Sequence, residues 1–130
     1  MTKYLYGKAH QGNPLIANAS YNGTLAETSI GKAVYLDANG KVNLFTGTGE
    51  VAGILVAFNG DTKKADYLKQ GEKVGVAGAG DIGSAVYVKA DGTFTSTSTG
   101  ATLVKGLFVG QDSSTAEETL PTGLALIDFI

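Results

Sequence analysis

Short apolar runs broken by Gly-, Asn- and Asp-containing turns recur along the chain, and one of them occurs twice. Ile30-Gly31-Lys32-Ala33-Val34-Tyr35-Leu36-Asp37-Ala38-Asn39-Gly40 returns as Ile82-Gly83-Ser84-Ala85-Val86-Tyr87-Val88-Lys89-Ala90-Asp91-Gly92. Each copy reads as an Ile-Gly turn, a short apolar strand, and a turn closed by Asn-Gly or Asp-Gly. Those dipeptides suit a two-residue hairpin, whose central residues must accept positive φ. A second shared phrase follows each copy: Glu50-Val51-Ala52-Gly53-Ile54-Leu55-Val56-Ala57 against Leu103-Val104-Lys105-Gly106-Leu107-Phe108-Val109-Gly110. The pattern predicts an all-β fold, a small barrel or sandwich of short strands built from two pseudo-repeated hairpin units.

The period-two alternation places strands at 32–37, 41–46, 51–58, 64–69 and 72–78 in the first half, about 28–80. It places them at 84–89, 93–97, 103–110 and 122–130 in the second half, about 81–130. Val51 to Phe58 is nearly all apolar, as expected of a strand covered on both faces. Gly53 and Gly106 within the matching strands predict a bulge or a close backbone approach. A hairpin turn is expected at Gln70-Gly71, and helix over 62–70 is disfavoured because its apolar positions lack helical spacing. The Thr-rich run 93–99 holds a single large apolar residue, Phe94, and reads as an edge strand. Residues 112–118 carry overlapping capping-box patterns, but Pro121 leaves little room for a helix, so a polar loop is expected. In the last run Ala125, Ile127 and Phe129 share one face, with Leu124, Leu126 and Ile130 on the other beside Asp128, and Phe129-Ile130 reads as a buried end. A terminal strand of that kind has to be docked in a sheet.

Residues 1–26 lie outside the repeat. Lys3 to Lys8 reads as a short strand, His10-Gln11-Gly12-Asn13-Pro14 as a break, and Leu15-Ile16 as a brief apolar anchor. This segment is expected to be an N-terminal arm docking on a capsid or a neighbouring subunit, with Tyr4, Tyr6, Leu15 and Ile16 as the contacts. The remainder, 27–130, is then a single β-domain, and loss of residues 2–22 is expected to leave it folded.

Composition narrows the function. The chain has 130 residues, a charged fraction of 17% and a net charge of −2. The charged share is below the usual ~25% and no basic run is present, so the electrostatic footprint of a nucleic-acid binder is missing. No apolar stretch approaches the length of a membrane-spanning helix. The absence of cysteine excludes disulfides and thiolate chemistry and fits assembly in a reducing cytoplasm.

The strongest catalytic signal is Gly78, Gly80 and Gly83, which satisfy the G-x-G-x-x-G spacing of a dinucleotide site. That site needs a helix opening near Gly80, whereas Ala85-Val86-Tyr87-Val88 reads as strand. Gly47 to Ala52 is a weaker match of the same kind. His10, the single histidine, sits in the least regular segment and reads as solvated, without the packed scaffold a catalytic base requires. The aspartates fall at turns, where Asp bonds its own backbone, and none has calcium-loop spacing. Tyr35 and Tyr87 occupy equivalent repeat positions, which suggests packing rather than a ligand platform. No cofactor, metal or catalytic residue is expected, and the chain reads as a structural or binding protein.

With these strings in view, Ile30–Val56 and Tyr67–Val109 resemble the capsid decoration, or cement, proteins of tailed bacteriophages. The likeness rests on Tyr67-Leu68-Lys69-Gln70-Gly71-Glu72-Lys73-Val74, on Ala79 to Phe94, and on Gly106-Leu107-Phe108-Val109. It implies a β-rich module, often a homotrimer, that sits on the virion's outer capsid surface and ties capsomers together. The implied partner is the major capsid protein, with no enzymatic activity, no cofactor, no nucleic acid and no membrane. A carbohydrate- or receptor-binding module of a virion fibre is the alternative. It would need an exposed aromatic platform, and the chain has no Trp.

Overall fold

The computed structural model describes residues 2–3, 5–111, 118–119 and 123–130. Tyr4, Pro121 and most of the loop expected over 112–118 lie outside the described residues. Among the described residues eleven strands run in order: β1 (Thr2–Lys3), β2 (Ala9–Ser20), β3 (Ala33–Leu36), β4 (Val42–Leu44), β5 (Gly53–Asn59), β6 (Lys64–Ala79), β7 (Ala85–Lys89), β8 (Phe94–Thr95), β9 (Ala101–Gln111), β10 (Glu118–Thr119) and β11 (Leu124–Phe129). The helical content of the described residues is a single 3-10 turn, Glu27–Ser29. The fold is all-β.

Strands β11, β9, β7, β8 and β6 pair in that order, and β11 returns to pair with β6, which closes a five-stranded barrel. From β6 the sheet continues through β5 and β3 to β4, while β2 lies along the other side of β6. The barrel fills because strand side chains alternate in and out. Ala125, Ile127 and Phe129 point into it beside Val74, Val76, Val86, Val88, Phe94 and Phe108. Leu124 and Leu126 form a separate cluster on the other face of β11, as the alternation in the sequence requires.

The repeat is real at the level of individual hydrogen bonds. Tyr35 pairs with Asn43 and Leu36 with Val42; at the equivalent places Tyr87 pairs with Thr95 and Val88 with Phe94. The Ile-Gly turns match as well: Gly31 N–H donates to Leu55 O, and Gly83 N–H donates to Phe108 O. Their φ values are +90° and +87°.

Both hairpin loops differ from the two-residue form expected. Gly40 N–H donates to Asp37 O and Asp37 N–H to Lys41 O, and Gly92 and Lys89 repeat this with Lys89 O and Thr93 O. Three residues thus connect each strand pair, with Gly40 and Gly92 at positive φ. That is a turn followed by a left-handed glycine, the second most common way to close a hairpin.

The two halves stack face to back, so matching residues enter different cores. Ala33 and Ile54 of the first half point at Val86, Val88, Phe94 and Phe108 of the second. The reverse face of the first half, Val34, Val42 and Leu55, packs on Tyr21, Leu25, Ala65 and Tyr67. Tyr21 and Leu25, within the expected docking arm 1–26, therefore supply part of a core. Gly53 and Gly106 sit at close approaches, as their positions suggested. A Cβ on Gly53 would meet the carbonyl oxygen of Leu68, and one on Gly106 that of Asp128, where φ is +102°.

Four local expectations fail for identifiable reasons. β6 does not turn at Gln70-Gly71 but runs through, because β2 spans the junction while β5 and then β11 take over its other edge. The backbone irregularity falls instead at Lys73, whose φ is +47°. β8 is no edge strand: it pairs antiparallel with β7 and parallel with β6, and Phe94 is fully buried. His10 to Pro14 does not break the chain but lies within β2, where an edge strand tolerates the N–H that Pro lacks. Register shifts around Gln11 and Leu15 absorb the irregularity. His10, finally, is half-buried and hydrogen-bonded to the backbone rather than free in solvent. Its Nε2 accepts from Leu5 N–H at 3.2 Å, which leaves Nδ1–H to donate to Lys73 O at 2.9 Å.

The hairpin turns also set an acid response. Asp37 is held below the ordinary carboxylate value by the Lys41 backbone N–H and, in addition, by the Asn39 N–H and the Asn43 amide. Asp91 is held down by the Thr93 hydroxyl and then by the Thr93 N–H. A carboxyl lowered on folding contributes stability above its unfolded value, and that contribution is lost as pH falls through the folded one. The double variant Asp37→Asn, Asp91→Asn is therefore expected to lose melting temperature less steeply than the parent below about pH 4. Parallel slopes would show that the turns add nothing.

Candidate functional site: an open, uncharged edge

Strand β2 pairs with β6 along one side, and among the described residues no strand pairs with its other side. A strand in this position presents a row of unpaired N–H and C=O groups, which most proteins protect with charge, shortness or cover. The opposite edge of the sheet follows that rule, since β4 has three residues and is preceded by Lys41. β2 does not. Its twelve residues, AHQGNPLIANAS, contain no Asp, Glu, Lys or Arg.

Three side-chain bonds tie β2 to β6. Asn18 Nδ2 donates to Asp66 Oδ1 at 2.7 Å, Lys64 Nζ donates to Ser20 Oγ at 3.0 Å, and His10 fastens the strand to Lys73. At its end Tyr21 is locked into the body, with its N–H on Lys63 O and its ring edge-on to Phe58. The ribbon is thus anchored at both ends with its outer edge open. In the middle lie Leu15 and Ile16, 53% and 48% exposed.

Of the four residues expected to make contact, Leu15 and Ile16 are brought together on this edge. Tyr6 is not with them. It is half-buried against Leu124 and Leu126, next to a cavity of about 350 Å³ lined by Glu27, Thr28, Ile30 and Ala77. Tyr4 lies outside the described residues. What sequence reasoning missed is the continuity of β2 across Pro14; the signal was a twelve-residue stretch without one charged side chain.

The chemistry found elsewhere is slight. Residues after Gly83 form strand β7 rather than a helix that could receive a pyrophosphate. Among the described residues no group of three or more His, Cys, Asp or Glu could hold a metal ion. A groove of about 420 Å³ between 49–52 and β9 is narrowed by Lys105, whose Nζ donates to Lys69 O at 2.7 Å and lies 4.7 Å from the Phe129 ring centre. Comparison with protein-family models, curated proteins and solved structures returned no match.

Proposed function

We propose that this protein is a structural virion component that decorates the outer face of a tailed-phage head. It binds the major capsid protein and, as a homotrimer, ties neighbouring capsomers together. The observation that carries this reading is the open, uncharged edge of β2 with Leu15 and Ile16 on it. Such an edge accepts an extended segment of a partner by strand addition, where backbone bonds give affinity and side-chain contacts give specificity. A decoration protein repeats one modest contact many times, so the sum holds even when a single site is weak. The resemblance in the repeated phrases points the same way.

The test is binding to undecorated heads of the phage that carries this chain. An apolar anchor at an interface contributes roughly 2 kcal/mol, so the double variant Leu15→Asp, Ile16→Asp is expected to bind at least about 100-fold more weakly. Its melting curve should be unchanged, because both side chains are exposed. Full-strength binding by the variant would remove the edge from the interface. Failure of the parent chain to bind heads at all would overturn the function.

A further inference from the structure

In an Asn-Gly pair the backbone nitrogen of the glycine reaches the asparagine side chain with least hindrance, because glycine has no Cβ in the way. The chain has three such pairs: Asn22-Gly23, Asn39-Gly40 and Asn59-Gly60. Two are pinned by the fold. Gly40 N–H donates to Asp37 O at 2.9 Å and Asn39 N–H to Asp37 Oδ1 at 2.9 Å, inside the closed hairpin loop. Asn59 Oδ1 accepts from Asp61 N–H at 2.9 Å and Thr62 N–H at 3.2 Å, and Asn59 O accepts from Lys63 N–H at 2.9 Å. The third pair is open. Among the described residues no hydrogen bond holds Gly23 N–H, and Gly23 stands at φ +74° with free space around it. The Asn22 amide is bracketed by charge instead: Lys41 Nζ donates to its Oδ1 at 3.3 Å, and its Nδ2 donates to Asp37 Oδ2 at 3.4 Å.

We infer that Asn22 is a self-modifying site, at which the Gly23 backbone nitrogen displaces the side-chain amide and water then leaves a carboxylate at position 22. The Gly23 nitrogen gives its proton to solvent and bonds to Asn22 Cγ. The Cγ–Nδ2 bond breaks, ammonia leaves with a proton taken from solvent, and a five-membered imide remains. Water opens that ring at either carbonyl, so the product is aspartate or isoaspartate. In sum, an amide and a water are consumed, and a carboxylic acid and an ammonia are formed. The structure directs this step to one pair of the three. As the Gly23 nitrogen attacks, negative charge grows on Oδ1, where the Lys41 ammonium already sits. Asp37 fixes the orientation of the amide through Nδ2. At the other two pairs ring closure has to break the bonds that hold Gly40 or Asn59, which opposes it. The product changes its surroundings. A carboxylate at position 22 keeps Lys41 as a neighbour but has no donor to offer Asp37, and isoaspartate adds a methylene to the backbone directly after Tyr21. Tyr21 locks the end of β2 into the body, so conversion loosens that end. The inference concerns the chain alone and does not depend on head binding.

Incubating the full chain at mildly alkaline pH and mapping its peptides by mass spectrometry at intervals tests this, since each conversion adds about 1 Da. The peptide holding Asn22 is expected to convert first, with isoaspartate in the product and a falling melting temperature, while those holding Asn39 and Asn59 keep their amides. In strong denaturant all three pairs should convert at similar rates, which assigns the selectivity to the fold. Lys41→Gln should slow conversion at Asn22 about 2- to 5-fold, the effect of a single exposed charge. Conversion led by Asn39 or Asn59 in the folded protein, or equal rates at the three sites, overturns the inference. So does a rate at Asn22 that Lys41→Gln leaves unchanged. A stable product lighter by one ammonia, with Asn22 joined to Lys41, refutes it as well, because the lysine nitrogen is then the nucleophile. If Lys41→Gln melts early, the comparison of folded with denatured parent decides.

Discussion

A chain beginning after Asn22 is expected to lose cooperative folding. The deletion removes Tyr21, which is buried in the cluster of Val34, Val42, Leu55, Ala65 and Tyr67. Its N–H bond to Lys63 O, its edge contact with Phe58 and the Lys63 Nζ lying 5.2 Å from its ring all go with it. Truncating a buried aromatic to Ala costs about 3–5 kcal/mol, a large share of the 5–15 kcal/mol that stabilises a typical domain. The deletion does more, because it also strips β2 from β6 and leaves that long strand open over residues 64–74. Circular dichroism should show weakened β signal and a broad melt. Tyr21→Ala alone should melt cooperatively at a much lower temperature. A sharp transition near that of the full chain after deletion would mean that residues 1–22 only rest on the surface.

Stopping the chain after Gly123 is expected to be more severe. β11 closes the barrel by pairing with β6 on one side and β9 on the other. Five of its side chains, Leu124, Ala125, Leu126, Ile127 and Phe129, are buried. At roughly 1.5–3 kcal/mol for each large apolar side chain, their loss is comparable to the whole stability of a typical domain, about 5–15 kcal/mol. Without β11 the barrel also exposes two strand edges, so aggregation should accompany unfolding. The truncated product should be insoluble or bind a hydrophobic dye strongly. A soluble chain with native near-ultraviolet dichroism would refute the closed barrel.

Much of this fold was legible because alternation and turn chemistry act locally. The face assignment on β11 held except at Ile130, which is exposed, the repeat predicted equivalent hairpins, and Gly53 and Gly106 marked close backbone approaches. Apart from the length of the hairpin loops, the failures are non-local. Gln70-Gly71 looks like a turn, and only the strands laid along both sides of β6 keep it extended. The Thr-rich run around Phe94 looks like an edge until β6 approaches it from the far side. His10 sits in an irregular stretch, yet a residue far along the chain, Lys73, supplies its acceptor. The edge of β2 was visible only as two apolar residues, Leu15 and Ile16.

Hydrogen exchange of the protein, free and bound to undecorated heads, tests most directly whether decoration runs through the open edge. The outward amides between Leu15 and Ser20 should exchange quickly in the free protein and slowly on the head, while barrel amides on β6, β9 and β11 stay protected in both. Unchanged exchange along β2 on saturated heads, or no binding to heads, would contradict it.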